Sequence, residues 1–129
     1  MFAKYNCENF PCVFIDLSGT IKSDSDFTDF TKNWLQLYEK KQDFELIFET
    51  KNIGLISPIY SIYTGLFIRS LKKMNPQYLK KSKIIVHNNF VYYLLKLVFS
   101  IESPVANVEI IFNNKSEFIV PKEKYTNKY

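Results

Sequence analysis

Glycine is scarce in this chain, with three residues, and proline is limited to five. That excludes collagen-like, fibrous and low-complexity classes, which depend on one or both. Only two cysteines occur, Cys7 and Cys12, and a single histidine, His87. A disulfide-stapled secreted domain carries more pairs, and a structural zinc site needs about four ligands. The reading that remains is two free thiols in a reducing compartment, hence a soluble, intracellular, cytoplasmic protein with no metal and no cofactor. Arginine is nearly absent: Arg69 stands alone. Nucleic-acid readers favour arginine for its bidentate contacts, so no nucleic-acid partner is expected. Long hydrophobic runs are also missing. The longest uncharged stretch, Ile53 to Ile68, falls short of the ~20 residues a spanning helix needs and is broken by Gly54, Pro58 and Gly65. Val91 to Ile101 is interrupted by Lys96. No transmembrane segment is expected, and Met1 to Asn6 lacks the layout of a signal peptide.

What is present suits one folded core. The chain has 129 residues, 47% of them hydrophobic and 17% aromatic, enough burial to offset the entropy of ordering. The net charge of +4 comes from lysines interspersed with acids, which reads as a solvated surface.

Periodicity divides the chain. Phe2–Cys7 and Cys12–Ile15, separated by a polar turn containing Pro11, read as a hairpin whose second run leads into Asp16-Leu17-Ser18-Gly19. Ser23 has N-cap chemistry, with Asp24 and Asp26 in the first turn. Phe27, Phe30, Trp34, Leu37 and Tyr38 then recur at spacings of three and four, predicting a helix to about Lys41. Phe44–Glu49 is the next strand, with a loop at Asn52 and Gly54. Ser57-Pro58 starts a second helix whose apolar stripe is Ile59, Ile62, Tyr63, Leu66 and Ser70, widened by Phe67 and Leu71. A strand at Ser82–His87 follows. Asn88 or Asn89 then caps a third helix that buries Val91, Leu94, Leu95, Val98 and Phe99. The last strand is Val108–Phe112, and Phe118–Val120 is a small edge segment. The sum is an α/β domain over residues 1–120 in the order ββαβαβαβ. It has a single-layer, mostly parallel sheet, an N-terminal hairpin strand and helices packed against the sheet. The polar, lysine-rich tail 121–129 is expected to be mobile.

That order, with Val13–Ile21 as second strand and loop, Leu46–Ile53 as next strand and loop, and Leu55–Tyr60 leading into a helix, resembles the STAS domain family. This is the anti-sigma-factor-antagonist fold. The resemblance covers roughly residues 2–112 and implies a regulatory protein-interaction module with a phospho-acceptor serine at Ser57. The family's neighbouring Asp and following Gly-Leu are absent here, and Pro58 stands after the serine. Lipid-transfer domains of the CRAL-TRIO type share the architecture and bind apolar ligands instead.

In open parallel sheets, ligands meet the carboxyl ends of the strands. The exits here deliver Asp16 and Ser18, Glu49 and Thr50 with Ser57 beyond, His87 with Asn88, and Asn113, next to helix starts at Ser23, Ser57 and Asn88. Ser57 reads either as a plain cap or as a phospho-acceptor. His87 reads as a hydrogen-bonded strand-end residue, or as an acid–base group if Asp16 or Glu49 approaches it. Tyr60, Tyr63 and Phe67 exceed what one buried stripe requires and offer an apolar patch. The expected function is therefore non-enzymatic. A protein partner binds around Asp16, Ser18, Thr50, Ser57, Tyr60 and Tyr63, and a homodimer through a sheet edge or the aromatic helix face is open. The alternative is a small lipid or apolar-ligand binder. An enlarged internal cavity favours the ligand binder; a closed core with an exposed Ser57–Tyr63 patch favours the interaction module.

Overall fold

Turn chemistry sets the first two strands. β1 (Ala3–Asn6) and β2 (Cys12–Gly19) pair antiparallel, with Tyr5 opposite Ile15 and Lys4 opposite Asp16. Their connection is held by Phe10 N donating to Cys7 O (3.1 Å) and Cys12 N to Asn9 O (2.9 Å). Gly19 ends β2 at φ 72, a region that side chains rarely adopt, and its carbonyl accepts from Gly54 N at 2.6 Å. The computed structural model describes residues 2–112 and 115–122. Asn113 and most of the expected tail lie outside the described residues.

Helix α1 (Asp24–Leu37) starts after an extended Ser23, as its sequence predicts, but the Ser23 side chain makes no cap. Asp26 in the first turn instead reaches back past the helix start, its carboxylate accepting from Lys22 N at 3.0 Å and pinning the entering chain. A 3-10 turn (Tyr38–Lys40) continues it, and Lys41 closes it in the left-handed region at φ 53. β3 (Phe44–Ile53) is followed by α2 (Ile59–Leu71), β4 (Leu79–Val86) and α3 (Asn89–Ile101). Asn88 caps α3, its side-chain oxygen accepting from Val91 N at 2.9 Å. β5 (Val108–Phe112) and β6 (Lys115–Val120) follow.

The sheet has six strands in chain order, β1 to β6. β2, β3, β4 and β5 are mutually parallel, while β1 and β6 run antiparallel at the two edges. The α/β class therefore holds, and the sheet is mixed, with β6 longer than the expected edge segment. Three successive crossovers step the same way across the sheet. Right-handed crossovers then place all three helices on one face. Packing agrees: Trp34 of α1 meets Phe48 of β3 at 5.5 Å, and Tyr92 of α3 meets Phe112 of β5 at 5.6 Å. The core lies between these layers. Val13, Ile15, Leu46, Phe48, Ile84, Val86, Val108 and Ile110 are buried against the helices, and their neighbours in sequence point the other way.

The second helix turns its back on the stripe expected to be its core side. Ile59, Tyr63, Leu66 and Ser70 are exposed and Ile62 and Phe67 half-buried; of the expected residues Leu71 alone is buried, joined by Ser61, Gly65 and Ile68. Steric fit is the reason. A Cβ on Gly65 would lie 2.7 Å from Ile101 Cβ, so this face is small enough for α3 to approach closely. Arg69 and Lys72 then bind Glu102 at 2.9 and 2.7 Å across the same two helices. Hydrogen bonds from Lys72 and Arg69 hold the Glu102 carboxyl below its ordinary value.

Candidate functional site

The interlayer space is not completely filled. Between the sheet and the three helices lies a cavity of about 130 Å³. It extends from Ile21, Ile53 and Ile56, near the carboxyl ends of β2 and β3, to Leu79, Pro104 and Val105 at the opposite ends of β4 and β5. Lining residues that keep some exposure include Ile21, Ile53 and Tyr60 at one end and Phe99 and Val105 at the other. None of its 25 lining residues is charged at neutral pH. Dry cavities of about 150 Å³ with such walls take up a benzene-sized molecule.

Few polar groups face this space. Thr50 and Thr64 line it, but both hydroxyls donate to backbone carbonyls, Ile85 O at 2.6 Å and Tyr60 O at 2.7 Å. Ser61 and Ser82 add two hydroxyls; Trp34 also lines the space, but its indole N–H is shut off from it, buried with no accessible surface and no acceptor. At the Ile21 end an aromatic cluster ties α1 to α2. Phe27 lies 5.6 Å from Tyr60 and 6.0 Å from Tyr63, and Tyr60 Oη donates to Asp24 Oδ1 at 3.1 Å. Partial burial, then that hydrogen bond and the Asp24 charge, hold the Tyr60 phenol above its ordinary value.

A second hollow of about 240 Å³ lies between α3 and the β5–β6 edge and shares Leu95 and Phe99 with the first. Its lining comes from α3 and one edge of the sheet alone and includes the charged Lys96. The first cavity, walled by both layers, is the stronger site.

The expected site residues are divided among three places. Thr50 does not reach the strand-exit edge: β3 continues to Ile53, so Thr50 is an interior position, 2% exposed, beneath the helices. Asp16 is exposed on the helix-free face of β2, opposite Glu49, and half-buried Ser18 pairs with Asn52. Tyr60 lines the cavity, whereas Tyr63 is exposed beside it in the aromatic cluster. Ser57 is exposed before α2, its Oγ 3.4 Å from Ile59 N, and the regular helix begins after Pro58. On the helix-free face, His87 Nε2 and Glu49 Oε2 approach to 2.7 Å. The expected approach of Glu49 to His87 is thus present, and neither residue lines the cavity. Among the described residues, no three His, Cys, Asp or Glu side chains gather as a metal site, and no helix is long and apolar enough to cross a membrane.

Trp34, Ser61 and Ser82 were not legible as site residues. Trp34 looks like one more member of an apolar stripe. The pair Ser61 and Gly65, four residues apart in an otherwise apolar helix, was the available signal for a close-packed inner face. Comparisons of the chain with protein-family models, with curated proteins and with solved structures give no match.

Proposed function

We propose that this protein binds a small apolar molecule, or the apolar chain of a lipid, between its helices and its sheet. The observation that carries this reading is the uncharged cavity of about 130 Å³, open in part to solvent, whose walls come from both layers. Filling such a space returns the dispersion contacts its walls lack and removes the ligand's apolar surface from water. The groups with acid–base chemistry, Asp16, Glu49 and His87, belong to the opposite face of the sheet, which favours a binding role over a catalytic one. The test is native mass spectrometry of the protein purified from its host, with organic extraction of the same sample. An apolar molecule recovered at about one per chain is the expected result. A chain that carries nothing and takes up no short-chain alkane or arene overturns the reading.

A second reading rests on its own observation. Leu55, Ile59, Tyr63 and Leu66 form an exposed apolar ridge beside Ser57, with Leu55 81% exposed. Such a ridge suits the interaction module implied by the STAS resemblance, with a protein partner seated along α2. A phosphate on Ser57 would sit at the start of that helix, where negative charge is favoured. Under this reading Leu55→Asp and Tyr63→Asp abolish recovery of a partner from the host extract and leave the cavity ligand in place. If both variants recover the same proteins as the unaltered chain, the ridge has no such role.

A further inference from the structure

The two hollows adjoin, and their chemistry differs in a way that bears on the ligand, provided the apolar-ligand reading holds. Leu95 and Phe99, four residues apart on α3, belong to the walls of both. Both are half-buried, so a chain passing from one hollow to the other has only two side chains to displace. Charge is distributed unevenly between the two spaces. No residue lining the first is charged at neutral pH, and among the described residues Lys96 alone is charged in the lining of the second. Its Nζ lies 5.5 Å from the centroid of the Tyr92 ring, another wall of the same hollow. Lys96 is exposed, so an anion can reach it from solvent. The cations Arg69 and Lys72 are taken up by Glu102, whereas among the described residues no carboxylate pairs with Lys96.

We propose that the ligand is a monocarboxylate with an apolar chain, its chain in the first cavity and its carboxylate beside Lys96 in the second hollow. The chain passes Leu95 and Phe99. A carboxylate inside the first cavity would be an unpaired buried charge, which is far too costly, so the head stays where solvent and Lys96 both reach it. One ammonium matches one negative charge, and a phosphate dianion would leave charge uncompensated beside apolar walls.

Octanoate and 1-octanol share a chain and differ in the charged head. Their affinities are measured by ligand-observed NMR on the unaltered protein and two variants. Lys96→Met keeps a side chain of similar length without its charge, and Lys32→Met removes the same charge from α1. The ratio of octanoate to octanol affinity should fall about fivefold in Lys96→Met and stay as it is in Lys32→Met. Tail placement is read on Trp34, the only tryptophan and a wall of the first cavity: 8-bromooctanoate should quench its fluorescence saturably. A ratio unchanged by Lys96→Met, or lowered equally by Lys32→Met, overturns the role of Lys96 and leaves the cavity reading standing. Binding of octanol with no binding of octanoate does the same. Octanoate that binds while 8-bromooctanoate leaves Trp34 unquenched overturns the placement of its chain. Failure of all three probes to bind the unaltered protein overturns the cavity reading itself.

Discussion

The two faces of the sheet are built from alternate residues of the same strands and have different fates. On β2, Val13, Ile15 and Leu17 are buried under the helices, while Phe14 and Asp16 between them are exposed. On β3, Phe44, Leu46 and Phe48 are buried, and Glu45, Ile47 and Glu49 face away. The covered face holds the aromatic core and the cavity. The bare face carries a mixture of Glu45, Lys81, Lys83 and Glu109 with Phe14, Ile47 and Ile85, and it holds the His87–Glu49 pair. The difference follows from topology. Strands laid down in chain order, each followed by a right-handed crossover, send every helix to one side and leave the other to water. Stability and the candidate binding site therefore share one face, and substitutions on the other should leave both nearly intact.

The comparison is broken most directly at Phe44 and Phe14. Phe44 is 1% exposed and stacks edge-on against Tyr38 at 5.3 Å, so Phe44→Ala should cost about 3–5 kcal/mol in urea unfolding. Phe14→Ala, on the bare face, should cost less than about 1 kcal/mol. Equal losses would mean that something covers the bare face in solution.

Gly65 sharpens the same contrast within the helical layer. Alanine is favoured over glycine in a helix by about 1 kcal/mol. Here the added Cβ meets Ile101, so Gly65→Ala should be destabilising by about 1–3 kcal/mol in the same assay. A stabilised variant would mean that α2 and α3 pack less closely than described.

Alkaline pH probes the covered face at its β1 edge. Burial, and then the charge of the neighbouring Cys7, push the Tyr5 phenol well above its ordinary value, and its Oη donates to Phe30 O at 2.7 Å. A folded-state value raised above the unfolded one, about 10, gives stability that is complete below pH ~10 and is lost as pH rises beyond it. Tyr5→Phe should cost about 1 kcal/mol at pH 7 through the lost hydrogen bond and should flatten the alkaline decline. An unchanged decline in thermal melts above pH 10 would place its origin elsewhere, with Tyr38, also raised by burial, the next residue to test.

The smallest effect belongs to the bare face. His87 and Glu49 keep 32% and 39% of their side-chain exposure, and such pairs contribute ~1 kcal/mol or less. Glu49→Gln should shift the melting temperature by only a few degrees at most. A larger loss would give the pair a structural role that its exposure argues against.

Much of this architecture was legible in the sequence because local signals agreed with one another. Strand alternation at Val13–Leu17, the Asn88 cap and the polar interruptions of α1 each fix one orientation. Phe30, Trp34, Leu37 and Tyr38 are buried as their spacing predicts. The inner face of α2 is not legible in the sequence because the helix is apolar nearly all round, so periodicity does not choose between its faces. The choice was made by Ser61 and Gly65, whose small size matters only once α3 lies against them. The ends of β3 and β4 were missed for a related reason. Thr50 to Ile53 and Leu79 to Lys81 are strands because β2 and β3 offer them partners, which no local pattern reports. In the sequence the cavity figures only as a possibility that separates two functions. Its volume is a difference between packed surfaces, and a single chain of letters does not contain it.

The central claim, that the covered face holds a binding site for an apolar molecule, is tested most directly by quenching the fluorescence of Trp34 with bromobenzene. A ring of that size fits the cavity, and its bromine quenches on contact. The account predicts saturable quenching by one site. Ser82→Ile, which fills the space from β4, should weaken it about tenfold, and Phe14→Ala on the bare face should not change it. Quenching that rises without saturation, and is the same in all three proteins, would contradict the claim.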